Sequence, residues 1–110
     1  MSNHGFIKTI EAQDGSAWIN KTLGLRVIES WNKELDGKTW HHVSVSRKSR
    51  LPSYEDLCFV KKVFIGEDKT AYQIFAKKSD HVNIHPYCLH LWHCVDGDVT
   101  PDFTHGMGTI

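Results

Sequence analysis

The strongest constraint on how this chain can fold is an Asp36-Gly37 pair set between two β-rich stretches, Leu25 to Trp31 and Thr39 to Val45. Glycine takes positive φ without a Cβ penalty, so Asp-Gly between such runs is a tight hairpin signal. The two stretches are therefore expected as neighbouring antiparallel strands, and the fold must be built around that pair.

The next segment has a different period. Pro52 precedes Ser53, and Asp56 follows three residues later, a capping-box arrangement that starts a helix at Tyr54. Tyr54, Leu57, Val60 and Phe64 fall on one stripe at helical spacing, and Gly66 ends the helix. Thr70 to Ala76 then alternates as a strand, Lys77 to Asp80 turns, and Tyr87 to Val95 reads as an apolar inner strand. The expected fold class is α+β, in the order ββαββ: a four-stranded antiparallel sheet with one central amphipathic helix packed on one face. Residues 1–17 are expected as an N-terminal arm or short strand, residues 18–95 as the domain, and residues 96–110 as a polar tail. Trp40, His42, Phe75, His90 and Trp92 are candidates for the sheet face away from the helix, which the N-terminal arm or a partner would have to cover.

Composition bounds the function. Of 110 residues, 40% are hydrophobic, including four Trp, five Phe and three Tyr, enough to build one core without a metal or a disulfide. The 13 basic residues balance 13 acidic ones, so no overall field draws the chain to nucleic acid or to an anionic membrane. Eight His residues turn the net charge positive below about pH 6.5, and low solubility is expected near neutrality. Cys58, Cys88 and Cys94 cannot all pair, and Met1 to Ile10 has no signal-peptide pattern, so free thiols in a reducing cytosol are expected. No apolar run approaches the ~20 residues of a membrane helix.

His81, His85, His90 and His93, with Cys88 and Cys94, are the densest set of possible metal ligands. Their spacing argues against a site: Pro86 disfavours a helix carrying His81 and His85, and an odd separation sends His90 and His93 to opposite strand faces. No metal and no cofactor are expected. Cys58, Cys88 and Cys94 lack a local signature for thiol catalysis. Asp96, Asp98 and Asp102 lack the pattern of a calcium loop. No phosphate-binding loop or nucleophile elbow is present, so the chain is not expected to be an enzyme.

Two surface sets remain. Arg47, Lys48 and Arg50 follow the second strand, and with Lys61 and Lys62 on the helix they form a possible phosphate-contacting patch. Phe59 and Val63 are four residues apart on the outward side of the expected helix, where they would meet a protein partner or a second copy across a two-fold axis, unless the N-terminal segment folds over them.

The stretches Trp40 to Arg47, Pro52 to Leu57, Val60-Lys61, Phe64 to Gly66 and Leu89 to Trp92 together resemble a family of small phage and prophage proteins that carry a domain of unknown function. The resemblance spans about Trp18 to Trp92. Where those relatives hold Trp at the helix start this chain has Tyr54, and the apolar Phe59 and Val63 replace a polar outer side. It implies a non-enzymatic accessory protein in a bacterial host cytoplasm that acts by binding a protein, with a host component as the concrete partner. Nucleic-acid binding through the basic cluster is the alternative, and a zinc protein the third reading.

Overall fold

The computed structural model describes residues 3–35, 37–74, 87–97 and 108–109. Its strands are β1 (Ile7–Ala12), β2 (Gly15–Asn20), β3 (Leu25–Leu35), β4 (Lys38–Arg47), β5 (Tyr72–Ile74), β6 (Tyr87–Cys94) and the two-residue β7 (Gly108–Thr109). Between β4 and β5 lies a short helix, α1 (Tyr54–Val60), continued by a π-helical turn over Lys61–Ile65. All neighbouring strands are antiparallel, in the order β1-β2-β3-β4-β6-β5-β7.

The four-stranded ββαββ expectation is thus overturned. The sheet gains β1 and β2 at one edge and the short β7 at the other, and the helix is a minor element lying on it. The N-terminal stretch, expected as an arm or a short strand, is a strand and opens the first hairpin of the sheet: Ala12 pairs with Gly15 across a two-residue turn, and β2 pairs with β3 from Gly15↔Ser30 to Asn20↔Leu25. Gly15 is required there, because a Cβ would stand 2.1 Å from the Glu29 carbonyl oxygen. Its missing side chain was legible in the sequence, but the long-range pairing with β3 that demands it was not.

The central hairpin forms where Asp-Gly places it. Leu35 pairs with Lys38, and Gly37 sits at φ 73° in the two-residue turn. The helix starts as expected too: Ser53 Oγ accepts from the Asp56 amide at 3.1 Å, and the Asp56 carboxylate accepts from the Ser53 amide at 2.9 Å. At its other end the Gly66 amide donates to Lys61 O at 2.8 Å, a five-residue step, and Gly66 adopts φ 138°, ψ 140°. That backbone region is open in practice to glycine alone, so the helix stops here.

The helix buries Leu57, Val60 and Phe64 against Leu25, Val27, Val43, Val45 and Leu91 of the sheet. Tyr54, expected in the same stripe, is 65% exposed. Its place in the core is taken from the other end of the chain: Phe6 is fully buried and lies 5.0 Å from Phe64 and 5.9 Å from Phe59, ring centre to ring centre. Trp18 closes the cluster at 5.4 Å from Phe64. The segment that delivers Phe6 is held by a mutual Asn3–Phe6 backbone pair and by the buried Asn20, which donates to His4 O and accepts from the Leu23 amide. The expected turn at Lys77 to Asp80 and most of the polar tail lie outside the described residues. Among the described residues no helix is long and apolar enough to cross a membrane.

Candidate functional site

Alternation along strands sends successive side chains to opposite faces, and residues paired across strands share a face. The pairing registers therefore define what the helix-free face carries. Its central row runs Ile10, Ala17, Ile28, Ser44, His90 across β1, β2, β3, β4 and β6. On one side lies the row Gly15, Ser30, His42, Trp92, Tyr72, and on the other Ile7, Ile19, Arg26, Ser46, Cys88. In these three rows Arg26 is the one formally charged residue at neutral pH.

This face has two halves of different character. The β1–β3 half is aliphatic and open: Ile7 is 52% exposed, Ile10 57% and Ile28 45%. Between Ile10 and Ile28, Ala17 on β2 is only 6% exposed, covered by its neighbours. The β4–β6 half is aromatic and more enclosed. His42 Nε2 and His90 Nδ1 are 2.6 Å apart, so one imidazole N–H donates to the bare nitrogen of the other. His42 also lies on Trp92, with ring centres 4.4 Å apart. Ser44 Oγ contacts Cys88 Sγ at 2.8 Å, and Cys88 Sγ is 3.8 Å from His90 Nε2. Trp40, which is buried, and Tyr72 meet edge to face at 6.4 Å.

The protonation states in this half oppose thiol catalysis. Burial, followed by the neighbouring His90, Lys33 and His41, pulls the His42 pKa down to about 3. Burial lowers His90 as well. Burial raises the Cys88 thiol, only partly offset by its hydrogen bond with Ser44. A thiolate–imidazolium pair needs the reverse, a lowered thiol and a raised imidazole. Cys88, His90 and His42 follow the order of nucleophile, base and orienting group, but the site holds them neutral. Cys94 is buried and Cys58 half-buried on the helix, both as free thiols.

Trp40, His42, His90 and Trp92 are candidates for this face from the sequence, and all four are there. Phe75 lies outside the described residues. What the sequence did not show is that β6, rather than β5, pairs with β4, which sets His42 diagonally across from His90. His42, Ser44, His90 and Trp92 all fall within the stretches on which the family resemblance rests.

The other candidates are dispersed. Phe59 and Val63 are not a free outer stripe: both are half-buried against the core, and His4 and Phe6 lie over Phe59. The physical reason is the N-terminal hairpin, which brings Phe6 onto the helix. In the basic cluster, Arg47 is committed inward. Its guanidinium makes a two-pronged contact with Asp56 at 2.8 and 2.9 Å and also donates to Leu23 O, while Arg50 lies 3.7 Å from the same carboxylate. The Arg47 hydrogen bonds hold the Asp56 pKa down to about 2, and the Ser53 contacts add to this. Lys48 and Lys62 are exposed, and Lys61 is half-buried with its ammonium donating to Glu67 O at 3.1 Å. Lys61 and Lys62 line a shallow groove with Cys58, Phe59 and Glu67, separate from the Arg47 clamp.

Of the metal-ligand candidates, His81 and His85 lie outside the described residues, as do Asp98 and Asp102. His93 faces the helix side, paired with His41, and its Nδ1 is 2.8 Å from Thr70 O. Among the described residues no three His, Cys, Asp or Glu side chains are disposed to hold a metal ion. One site on the helix side escaped sequence reading. A bulge between Ser30 and Lys33, with Asn32 at φ 60°, turns Trp31 flat onto His41 at 3.9 Å. His41 is buried, with Nε2 3.1 Å from Glu29 Oε2 but without the alignment of a hydrogen bond.

Compared with known proteins, residues 29–96 match the family described as Domain of unknown function (DUF7694). No curated protein and no solved structure matches the chain.

Proposed function

We propose, for a chain that belongs to the DUF7694 family, that it is a non-enzymatic binding module whose helix-free sheet face docks a protein partner. The observation that carries this reading is the set of exposed isoleucines, Ile7, Ile10 and Ile28, gathered on one face whose three central rows hold Arg26 as their one charge, with Lys33 at the margin beside His42. Isolated exposed aliphatic residues are ordinary on a soluble domain, whereas adjacent ones on a flat sheet face form a patch that a partner's apolar side chains can cover. The neutral imidazoles and Trp92 beside them add hydrogen-bonding and aromatic surface without a charge to desolvate. The neutral Cys88–His90–His42 set supports a binding role over a catalytic one.

The resemblance to phage and prophage proteins makes a host-encoded cytoplasmic protein the partner class we favour, and free thiols fit that compartment. Nucleic-acid binding loses part of its support, because Arg47 is clamped on Asp56, which leaves Lys48, Arg50 and Lys62 as the exposed members of the cluster. Affinity capture from a bacterial lysate tests the reading, comparing the wild type with the Ile10→Glu, Ile28→Glu double variant. A protein held by the wild type and lost with the folded variant is the expected result. Capture that survives both substitutions rejects this face, and salt-eluted nucleic acid in place of protein moves the function to Lys48 and Lys62.

A further inference from the structure

The enclosed half of the helix-free face holds a thiol and an imidazole that protein docking does not use, and we propose that Cys88 and His90 together bind one soft monovalent metal ion, Cu(I). The two residues are two apart on β6 and so point to the same side of the strand. Both are half-buried, open enough for an ion to enter. Cys88 Sγ lies 3.8 Å from His90 Nε2, a gap that an ion with bonds of about 2.3 Å to sulfur and about 2.0 Å to nitrogen spans at an angle of about 125°. Structural zinc takes four ligands in a tetrahedron, with narrower angles, and no group of three His, Cys, Asp or Glu side chains among the described residues begins such a set. Cu(I) is satisfied by fewer donors, and thiolate and imidazole both suit it.

The surroundings prepare the pair. His42 Nε2 lies 2.6 Å from His90 Nδ1, with the two ring planes 20° apart, an in-line hydrogen bond. With Nδ1–H donating to His42, His90 turns a bare Nε2 toward Cys88, and its ring is fixed as that of a ligating histidine usually is. Trp92, packed on His42, holds that acceptor in place. Ser44 Oγ, 2.8 Å from the sulfur, donates to the thiolate once it forms.

Charge selects the valence. Binding breaks the Cys88 S–H bond, forms a sulfur–metal bond and releases the proton to solvent, so a thiolate and a monovalent ion leave the site neutral. A divalent ion would leave a net positive charge there. The three rows contain no carboxylate to answer it, and the charged neighbours are themselves cations, Lys33 beside His42 and Arg26 in the row of Cys88. The site is separate from the isoleucine patch, so metal binding and protein docking can fail independently.

An anaerobic titration of the metal-free full chain with Cu(I), against a chromogenic Cu(I) chelator, tests the site. One ion per chain is expected, with an ultraviolet thiolate-to-copper absorption. Cys88→Ser should abolish this binding, and His90→Gln should weaken it by more than about tenfold, while each variant melts like the metal-free wild type. Cys58→Ser should bind as the wild type does. Copper should raise the melting temperature of the wild type and leave that of Cys88→Ser unchanged. A wild type that holds Cu(I) no more tightly than Cys88→Ser overturns the inference, as does binding that is indifferent to His90→Gln or is lost with Cys58→Ser instead. Displacement of the copper by an equal concentration of zinc overturns it too.

Discussion

The two faces of the sheet use similar residues for opposite ends. On the helix side, Leu25, Val27, Val43, Val45 and Leu91 are all 0–1% exposed beneath α1, Phe6 and Phe64. On the other side, Ile7, Ile10 and Ile28 keep about half of their surface in water. Burying an aliphatic side chain stabilises a fold by roughly 1.5–3 kcal/mol. The open face forgoes that gain in the monomer and leaves it available to an interface. Aliphatic content alone therefore does not say where the core is; the helix and the N-terminal Phe6 decide it.

The largest expected effect lies on the helix side. Phe64→Ala removes a ring in contact with both Phe6 and Trp18, and should cost about 3–5 kcal/mol, measured by chemical denaturation. A loss below 1 kcal/mol would mean the aromatic cluster is not the core.

Acid sharpens the contrast from the other side, because the titrating pair belongs to the helix-free face. His42 has a folded pKa near 3 against 6.5 unfolded. Below pH 6.5 the unfolded chain takes up a proton that the folded chain refuses. Stability is thus complete above that value and falls as the pH drops toward 3, by up to about 1.4 kcal/mol per pH unit, or about 2 kcal/mol by pH 5. His42→Gln should flatten the slope between pH 6.5 and 5. An equally steep slope in the variant would assign the acid sensitivity to other groups. Asp56, lowered to about 2, makes its contribution above the unfolded value of 3.8 and loses it as pH falls through 2, well below that window.

A smaller effect is expected at the junction between β4 and the helix. Asp56→Ala removes half of the capping box and leaves Arg47 without its main partner, which should cost about 2 kcal/mol. Asp56→Asn keeps part of the cap and should recover some of that loss in the same melts. The smallest effects belong to the open face: Ile10→Glu and Ile28→Glu should change stability by less than about 0.5 kcal/mol, because neither side chain is enclosed.

Local chemistry made part of this legible in the sequence. Asp36-Gly37 specified the hairpin, Ser53 and Asp56 the helix start, and Gly66 its end, each through contacts within a few residues. His42, His90 and Trp92 are candidates for one face from the sequence, but the inward side of each strand is settled only by the pairing of β4 with β6. The failures are long-range. Nothing near Phe6 announces that it fills the core above Val27, and without it Phe59 reads as an outer residue. The short Ile7 to Ala12 run has the alternation of an arm as much as of an edge strand, and only pairing with β2 makes it part of the sheet. The Arg47–Asp56 clamp likewise joins a strand end to a helix start nine residues away, taking Arg47 out of the apparent basic patch.

The most direct test of the division between the faces is a thermal melt of the Ile10→Glu, Ile28→Glu double variant beside one of Phe59→Glu. The double variant should unfold at the wild-type temperature, while Phe59→Glu, which drives a carboxylate against Phe6, should lose cooperative unfolding or melt far lower. Collapse of the isoleucine variant, or a wild-type melt for Phe59→Glu, would contradict the assignment of the core to one face and of docking to the other.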